Sequence, residues 1–147
     1  MRIYTIGHSN HTWDTFASLL KVQQIEVLVD VRSKPVSRWA RFANKRTLPA
    51  LCEAAGLRYA FMGDSLGGKP GDPFAYDASG NPDYAKIAAR PIFGDGIQEL
   101  VSLAEEATTA IMCAEEDPSN CHRSLLIGPA LEPLGVEMRH IRRDDSV

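Results

Sequence analysis

The stretch Ile25-Glu26-Val27-Leu28-Val29-Asp30-Val31 decides the fold. Its apolar residues run almost without a break. A strand with one face in water alternates apolar and polar side chains, whereas a run like this one suits a parallel strand covered by helices on both faces. It ends at Asp30-Val31-Arg32-Ser33, with Pro35 soon after, so the strand stops at a polar turn.

Working outward from it, Arg2 to Ile6 is β-branched or aromatic at four of its positions and reads as a first strand running into the turn residues Gly7-His8-Ser9-Asn10. Thr12 can cap a helix whose buried face is Trp13, Phe16, Leu19 and Leu20, fading at Gln23-Gln24. On the other side, Thr47 and Pro49 open a second helix that Gly56 closes, and Leu57 to Met62 is a third strand. Gly63 to Pro82 is irregular, and a loop of that length in a small domain is usually functional or mobile.

A short helix is expected from Pro82 to Ala89, and a longer one from Gly94 to Ala107 with Ile97, Leu100, Val101 and Ala104 on one face. Thr108 to Cys113 gives the fourth strand. A helix from Cys121 to about Leu134, capped by Gly135 and kinked at Gly128-Pro129, leads to the fifth strand, Val136 to Ile141. Strands alternating with helices and no linker predict one three-layer α/β domain over residues 1–147, with a mainly parallel sheet of about five strands flanked by helices.

Composition narrows the class. Hydrophobic residues make up 44% and charged residues 24%, as in an ordinary globular protein. No apolar run approaches the roughly 20 residues of a bilayer span, so no membrane partner is expected. The start, Met1 to Gly7, reads as a strand and not as a secretory signal, and three cysteines do not make a disulfide framework. A reducing, cytoplasmic setting is the expectation. Cys52, in a helical pattern, reads as a packing residue.

The net charge of −3 argues against a generally basic nucleic-acid binder, but its distribution is uneven. Arg32, Lys34, Arg38, Arg41, Lys45 and Arg46 fall together with no carboxylate between them, leaving ten cations against nineteen acids elsewhere. A cationic segment on an acidic protein suggests an anionic partner at one place.

In parallel sheets, ligands bind beyond the carboxyl ends of the strands. His8-Ser9, Asp30-Arg32-Ser33, and Cys113-Glu115 with Cys121-His122-Arg123 all fall at predicted strand ends, and Gly67-Gly68 follows another. A shared rim is expected. Cys121 at or next to the first turn of a helix would have a lowered pKa, helped by His122 and Arg123. Arg123 and Arg32 would hold an oxyanion, and Glu115 or His8 would move protons. Asp30, Ser33, Ser9, Gly67, Gly68 and Cys113 complete the expected ligand surface.

Three other readings compete. Cys113, Cys121 and His122, with Glu115 or His8, are a plausible zinc donor set by type, but their spacing matches no paired-ligand pattern, and no metal site is assigned. No motif names a cofactor. In a purely architectural reading, Cys113 is packed and Arg123 pairs with Asp30 or Glu115 to tie strand ends together. In the third, residues 32–46 form a non-enzymatic nucleic-acid-binding module, in which Trp39 and Phe42 stack on bases while the cations neutralise phosphates. Against it, the two aromatics are expected to dock the segment onto the body of the domain.

Thr5-Ile6-Gly7-His8-Ser9, Leu28-Val29-Asp30-Val31-Arg32 with Pro35 and Ser37, Leu66-Gly67-Gly68, and Cys113-Ala114-Glu115 leading to Cys121-His122-Arg123 together resemble the bacterial and archaeal family DUF488. The resemblance spans residues 5 to about 141. It implies a single α/β domain and no particular chemistry, since the family is named for its unknown function. Gly128-Pro129 departs from it where an uninterrupted helix is expected. A looser likeness to rhodanese-type domains lies in Asp30-Val31-Arg32 and in the strand-cysteine-loop-arginine unit from Cys113 to Arg123. The intervening loop is longer than a rhodanese or phosphatase cradle, and its Glu115, Glu116 and Asp117 would repel a bound phosphate. The main expectation is a strand-end pocket for an anionic ligand, phosphate-bearing or a nucleotide, with thiol chemistry at Cys121.

Overall fold

A computed structural model describes all residues from Met1 to Val147. Five strands form one sheet: β1 (Arg2–Gly7), β2 (Val27–Asp30), β3 (Arg58–Phe61), β4 (Thr109–Cys113) and β5 (Glu137–Ile141). Their order is β3-β2-β4-β1-β5 and every pairing is parallel. β2 and β4 are buried along their whole length, which is why the run from Ile25 to Val31 carries apolar residues on both faces.

Two cores result. Tyr4, Ile6, Leu28, Ala110 and Met112 pack on one side with α1 (Trp13–Val22) and α2 (Leu48–Ala54), whose Phe16, Leu20, Leu48 and Cys52 fill that core. Ile3, Val27, Val29 and Ile111 point to the other side. They are met there by α3 (Gly63–Leu66), α4 (Tyr84–Ala88), α5 (Pro91–Glu106) and α6 (Gly128–Leu131), through Leu66, Ile87, Leu100 and Leu131. Neighbouring strand residues thus feed opposite cores, and the domain has three layers. No helix is long and apolar enough to cross a membrane.

The placement of β4 matters for the site. It lies between β1 and β2, whose next helices, α1 and α2, cover one face, whereas the chain after β4 passes to the other face. Connections leaving in opposite directions open crevices beside the carboxyl end of β4.

Three departures from the expected elements have local causes. The stretch after β3 is not wholly irregular, because Gly63 to Leu66 closes one helical turn. α5 begins at Pro91, not Gly94, with proline in the first turn, where its missing N–H costs nothing. Gly96 sits inside that helix because a Cβ there would lie 2.5 Å from Ser65 Oγ on α3. The expected long helix from Cys121 to about Leu134 is broken into pieces: a widened π-type turn over Arg123–Ile127, the short α6, and a 3₁₀ turn at Glu132–Leu134. Pro129 has no N–H to close an α-turn on Leu125, and Gly128 N–H instead reaches back to Arg123 O.

Candidate functional site

The carboxyl end of β4 carries Cys113, and the chain then turns through residues 114–120 to bring Cys121 back beside it. The two sulfurs are 2.6 Å apart. Cys121 is in extended backbone next to the helical turns that begin at His122, and its carbonyl accepts from Ser124 N and Leu125 N. Direct contacts to its sulfur add to that helix-end position.

The Cys113 thiol is the strongest of these, donating to Cys121 Sγ. His122 Nδ1 lies 3.7 Å from the sulfur, and Arg123 presents both its backbone and, at 3.4 Å, its Nε. Together they hold the Cys121 thiol far below its ordinary range, overcoming burial, which acts the other way. Burial and the same contact push the Cys113 thiol up. These opposite shifts favour the proton on Cys113 and the negative charge on Cys121.

His122 Nε2 lies 2.9 Å from Val31 O, which can only accept, so Nε2 carries a proton; Nδ1 faces Cys121, where it accepts from the thiol as a neutral ring or donates to the thiolate once it too is protonated. Arg123 is fully buried and its donors are taken by the protein. Nη1 donates to Thr5 Oγ1 at 2.9 Å and Nη2 to Glu115 O. The expectation that Arg123 holds a ligand oxyanion is corrected, because its charge serves the thiolate from beneath. Thr5, having accepted from Arg123, gives its own proton to His140 Nδ1 at 2.7 Å.

Asp30 is corrected in the same way. It lies wholly buried, accepting from Arg32 Nε at 2.9 Å, Arg32 Nη2 at 2.8 Å and Tyr59 Oη at 2.7 Å. No oxygen of it faces a ligand; it aims Arg32. Arg32 Nη2 also donates to Ala43 O, but Arg32 Nη1 is buried without a partner.

Above these groups is a cleft of about 340 Å³ lined by Arg32, Ser33, Gly68, Cys113, Glu115, Cys121 and His122, as expected, and also by Lys34, Lys69, Val36, Tyr84 and Asn120. Gly67 and Gly68 serve close packing. A side chain on Gly67 would strike Ser33 Oγ, and one on Gly68 would come 2.9 Å from His122 Cβ. Ser33 Oγ accepts from Lys69 N at 2.9 Å and pins this loop over the cleft.

His8 and Ser9 line a second cleft, which meets the first at Val36, Ala114 and Glu115 and is walled by Arg38 and Trp39. His8 Nδ1 donates to Ser9 O, which leaves the buried Nε2 a lone pair without a partner. Burial, then the Arg32 charge, lower the His8 pKa, so the ring is neutral.

The acidic turn is less repulsive than its composition suggests. Glu116 is held by Arg142 Nε and Nη2 at 3.1 and 2.9 Å, and Asp117 caps its own turn through Ser119 N. Only the exposed Glu115 carboxylate reaches the clefts.

The basic segment divides unevenly. Phe42 docks as expected, packed on Trp13 and Phe16. Trp39 does not: it is 84% exposed. Ser37 Oγ accepts from Trp39 N and Ala40 N, and Asn44 pairs with the Ser37 backbone, so the indole is held outward by an ordered turn. Lys34, Arg38, Arg41, Lys45 and Arg46 make no ion pair.

Some site residues were not anticipated. Lys34 and Lys69 adjoin motifs already singled out, in the basic segment and beside Gly67-Gly68. Thr5, Tyr59 and His140 act beneath the site and carry no local signal, because their partners are distant in the chain.

The fold and site define a three-layer α/β protein with a thiol pair at the carboxyl edge of a parallel sheet. A family profile described as domain of unknown function DUF488 matches residues 12–128, and the chain belongs to that family. No curated protein and no solved structure matches it.

Proposed function

We propose that the cleft binds a small anionic, phosphate-bearing ligand and that Cys121 is the nucleophile acting on it. The observation that carries this reading is the Cys121 sulfur at the cleft wall, flanked by the Cys113 thiol, His122 Nδ1 and Arg123 Nε. A thiolate, not a thiol, is the reactive species, and this surrounding favours the thiolate. Lys34, Lys69 and Arg32 supply the cationic lining residues of the cleft, against one acidic residue, Glu115.

His122 Nδ1 takes the proton if the thiol enters protonated, and the resulting imidazolium keeps its Nε2–H on Val31 O. Attack forms a bond from Sγ to the electrophilic atom of the ligand, whose leaving group departs with its electron pair and collects that proton.

The test is the rate of Cys121 alkylation by iodoacetamide against pH, assigned by peptide mapping. The expected midpoint lies well below the ordinary thiol value of about 8.5, and inorganic phosphate slows the reaction in a saturable way that Lys34→Ala with Lys69→Ala abolishes. A midpoint near 8.5 overturns the nucleophile. Absence of phosphate protection overturns the anion site.

A second reading is favoured by the outward Trp39. Here residues 32–46 bind single-stranded nucleic acid, with the indole as a stacking platform and Arg38, Arg41, Lys45 and Arg46 neutralising phosphates. An oligothymidylate is expected to quench tryptophan fluorescence with an affinity that falls as salt rises. Affinity unchanged by Trp39→Ala, or by Arg38→Ala with Arg41→Ala, rejects it.

A further inference from the structure

A nucleophile of this kind needs a donor beside it, but the donor need not be a second thiol. A backbone N–H or a serine hydroxyl would serve. Cys113 is placed where a sulfur has one further use, because its Sγ and that of Cys121 are already in contact at 2.6 Å and both border the same solvent-open cleft. Bond formation between them requires only a small closure toward the usual disulfide length of about 2.0 Å.

We propose that Cys113 and Cys121 form a dithiol–disulfide couple oxidised by small hydroperoxides, with Cys121 oxidised first and Cys113 resolving it. The inference rests on the Cys121 thiolate invoked for the proposed function, and not on the anionic ligand.

The step balances. The Cys121 thiolate attacks the outer oxygen of a hydroperoxide, the O–O bond breaks, and its electron pair leaves on the other oxygen, which takes a proton to become an alcohol or water. Cys121 is now a sulfenic acid. Cys113 then loses its proton and attacks the Cys121 sulfur; the S–S bond forms, the S–O bond breaks, and the departing hydroxide takes the proton to become water. In sum, one hydroperoxide and two thiols give one alcohol, one water and one disulfide. An external dithiol returns the pair to its starting state.

The structure fits the order of events. Cys121 has the acidic sulfur, and the Cys113 thiol is directed at it. Both cysteines line the cleft of about 340 Å³, which has room for a small hydroperoxide. The bridge would span only the turn between positions 113 and 121, leaving the strands and helices in place. Oxidation would also cap the nucleophile. Cys52, buried in the core on the opposite face of the sheet, has no neighbouring sulfur and stays reduced.

The test is to treat the reduced full chain with one equivalent of hydrogen peroxide, unfold it, label the remaining thiols and map the peptides. Of three cysteines, one is expected to label, Cys52, with Cys113 and Cys121 recovered in one linked peptide. In Cys113→Ser the reaction should stop at a Cys121 sulfenic acid that dimedone traps, while iodoacetamide still alkylates Cys121 in the untreated variant. Three labelled thiols under conditions that fully oxidise a free low-mass thiol overturn the proposal. So does a Cys121 sulfenic acid that persists in the unmutated protein. A disulfide that forms although the alkylation midpoint is ordinary removes the nucleophile reading and the Cys121-first order with it, and leaves only the dithiol–disulfide couple.

Discussion

Asp30 and Arg32 show how one buried carboxylate sets the chemistry of a rim. Asp30 accepts from Arg32 N, Nε and Nη2 and from Tyr59, and in doing so fixes the guanidinium so that Nη1 alone remains uncommitted. Removing the carboxylate leaves a buried cation without its partner, which costs about 3–5 kcal/mol. Asp30→Ala should therefore lower the unfolding free energy by that amount, read as a lower urea midpoint at unchanged slope, whereas Tyr59→Phe, losing one hydrogen bond, should cost about 1 kcal/mol. A neutral Asp30→Ala would show that Arg32 finds water instead. The sequence placed Asp30 and Arg32 at a strand end, and they are there. Which of the two turns inward was not legible, because Tyr59 lies on another strand. Arg123 hides its role for the same reason: its partners are Thr5 on β1 and the Glu115 carbonyl.

At the scale of elements, the close approach of the Gly67-Gly68 loop to the turn after β4 holds His122 over Cys121. A Cβ on Gly68 would meet His122 Cβ and Cγ, both at 2.9 Å, tighter than an unstrained contact allows. Gly68→Ala should push the imidazole away from the sulfur and from Val31 O. The expected result is slower alkylation of Cys121 near neutral pH and a midpoint shifted upward, with the unfolding midpoint changed far less than by Asp30→Ala. Alkylation unchanged in both rate and midpoint would mean that the loop, and not the ring, gives way.

Strands and their burial were readable from apolar runs, and α1 from its cap and spacing. The stretch from Cys121 to Leu134 was only half readable. Gly128-Pro129 announces a break, but sequence periodicity does not say that the break takes the form of a widened turn over the five residues before Gly128. That turn carries Arg123 underneath the thiol pair, with Cys121 just before it.

For the whole molecule, the buried ionisable groups make stability a reporter of the site. His8, His140 and His11 all have pKa values lowered from 6.5, first by burial. A depressed folded value means that the unfolded chain binds the proton more readily. The stability contributed is fully present above pH 6.5 and is lost as pH falls through the folded values. Cys121 has the same sign over a different window. Its unfolded value is 9.0 and its folded value is far lower, so between the two the unfolded state carries one more proton than the folded one. Stability should then climb with pH toward 9, by at most about 1.4 kcal/mol per pH unit for one proton. Above 9.0 the sign reverses, because Cys52, raised to about 12 by burial, and Cys113 resist ionising in the fold but not in the unfolded chain. Urea midpoints taken at intervals from pH 5 to 10 should therefore rise to a maximum near 9 and fall beyond it. Cys121→Ser should flatten the rise between 6.5 and 9 and keep the acid edge that the histidines supply. A flat profile from 6.5 to 9 in the unmutated protein would show that Cys121 is protonated in the fold at neutral pH, and the thiolate at the end of β4 would have to be given up.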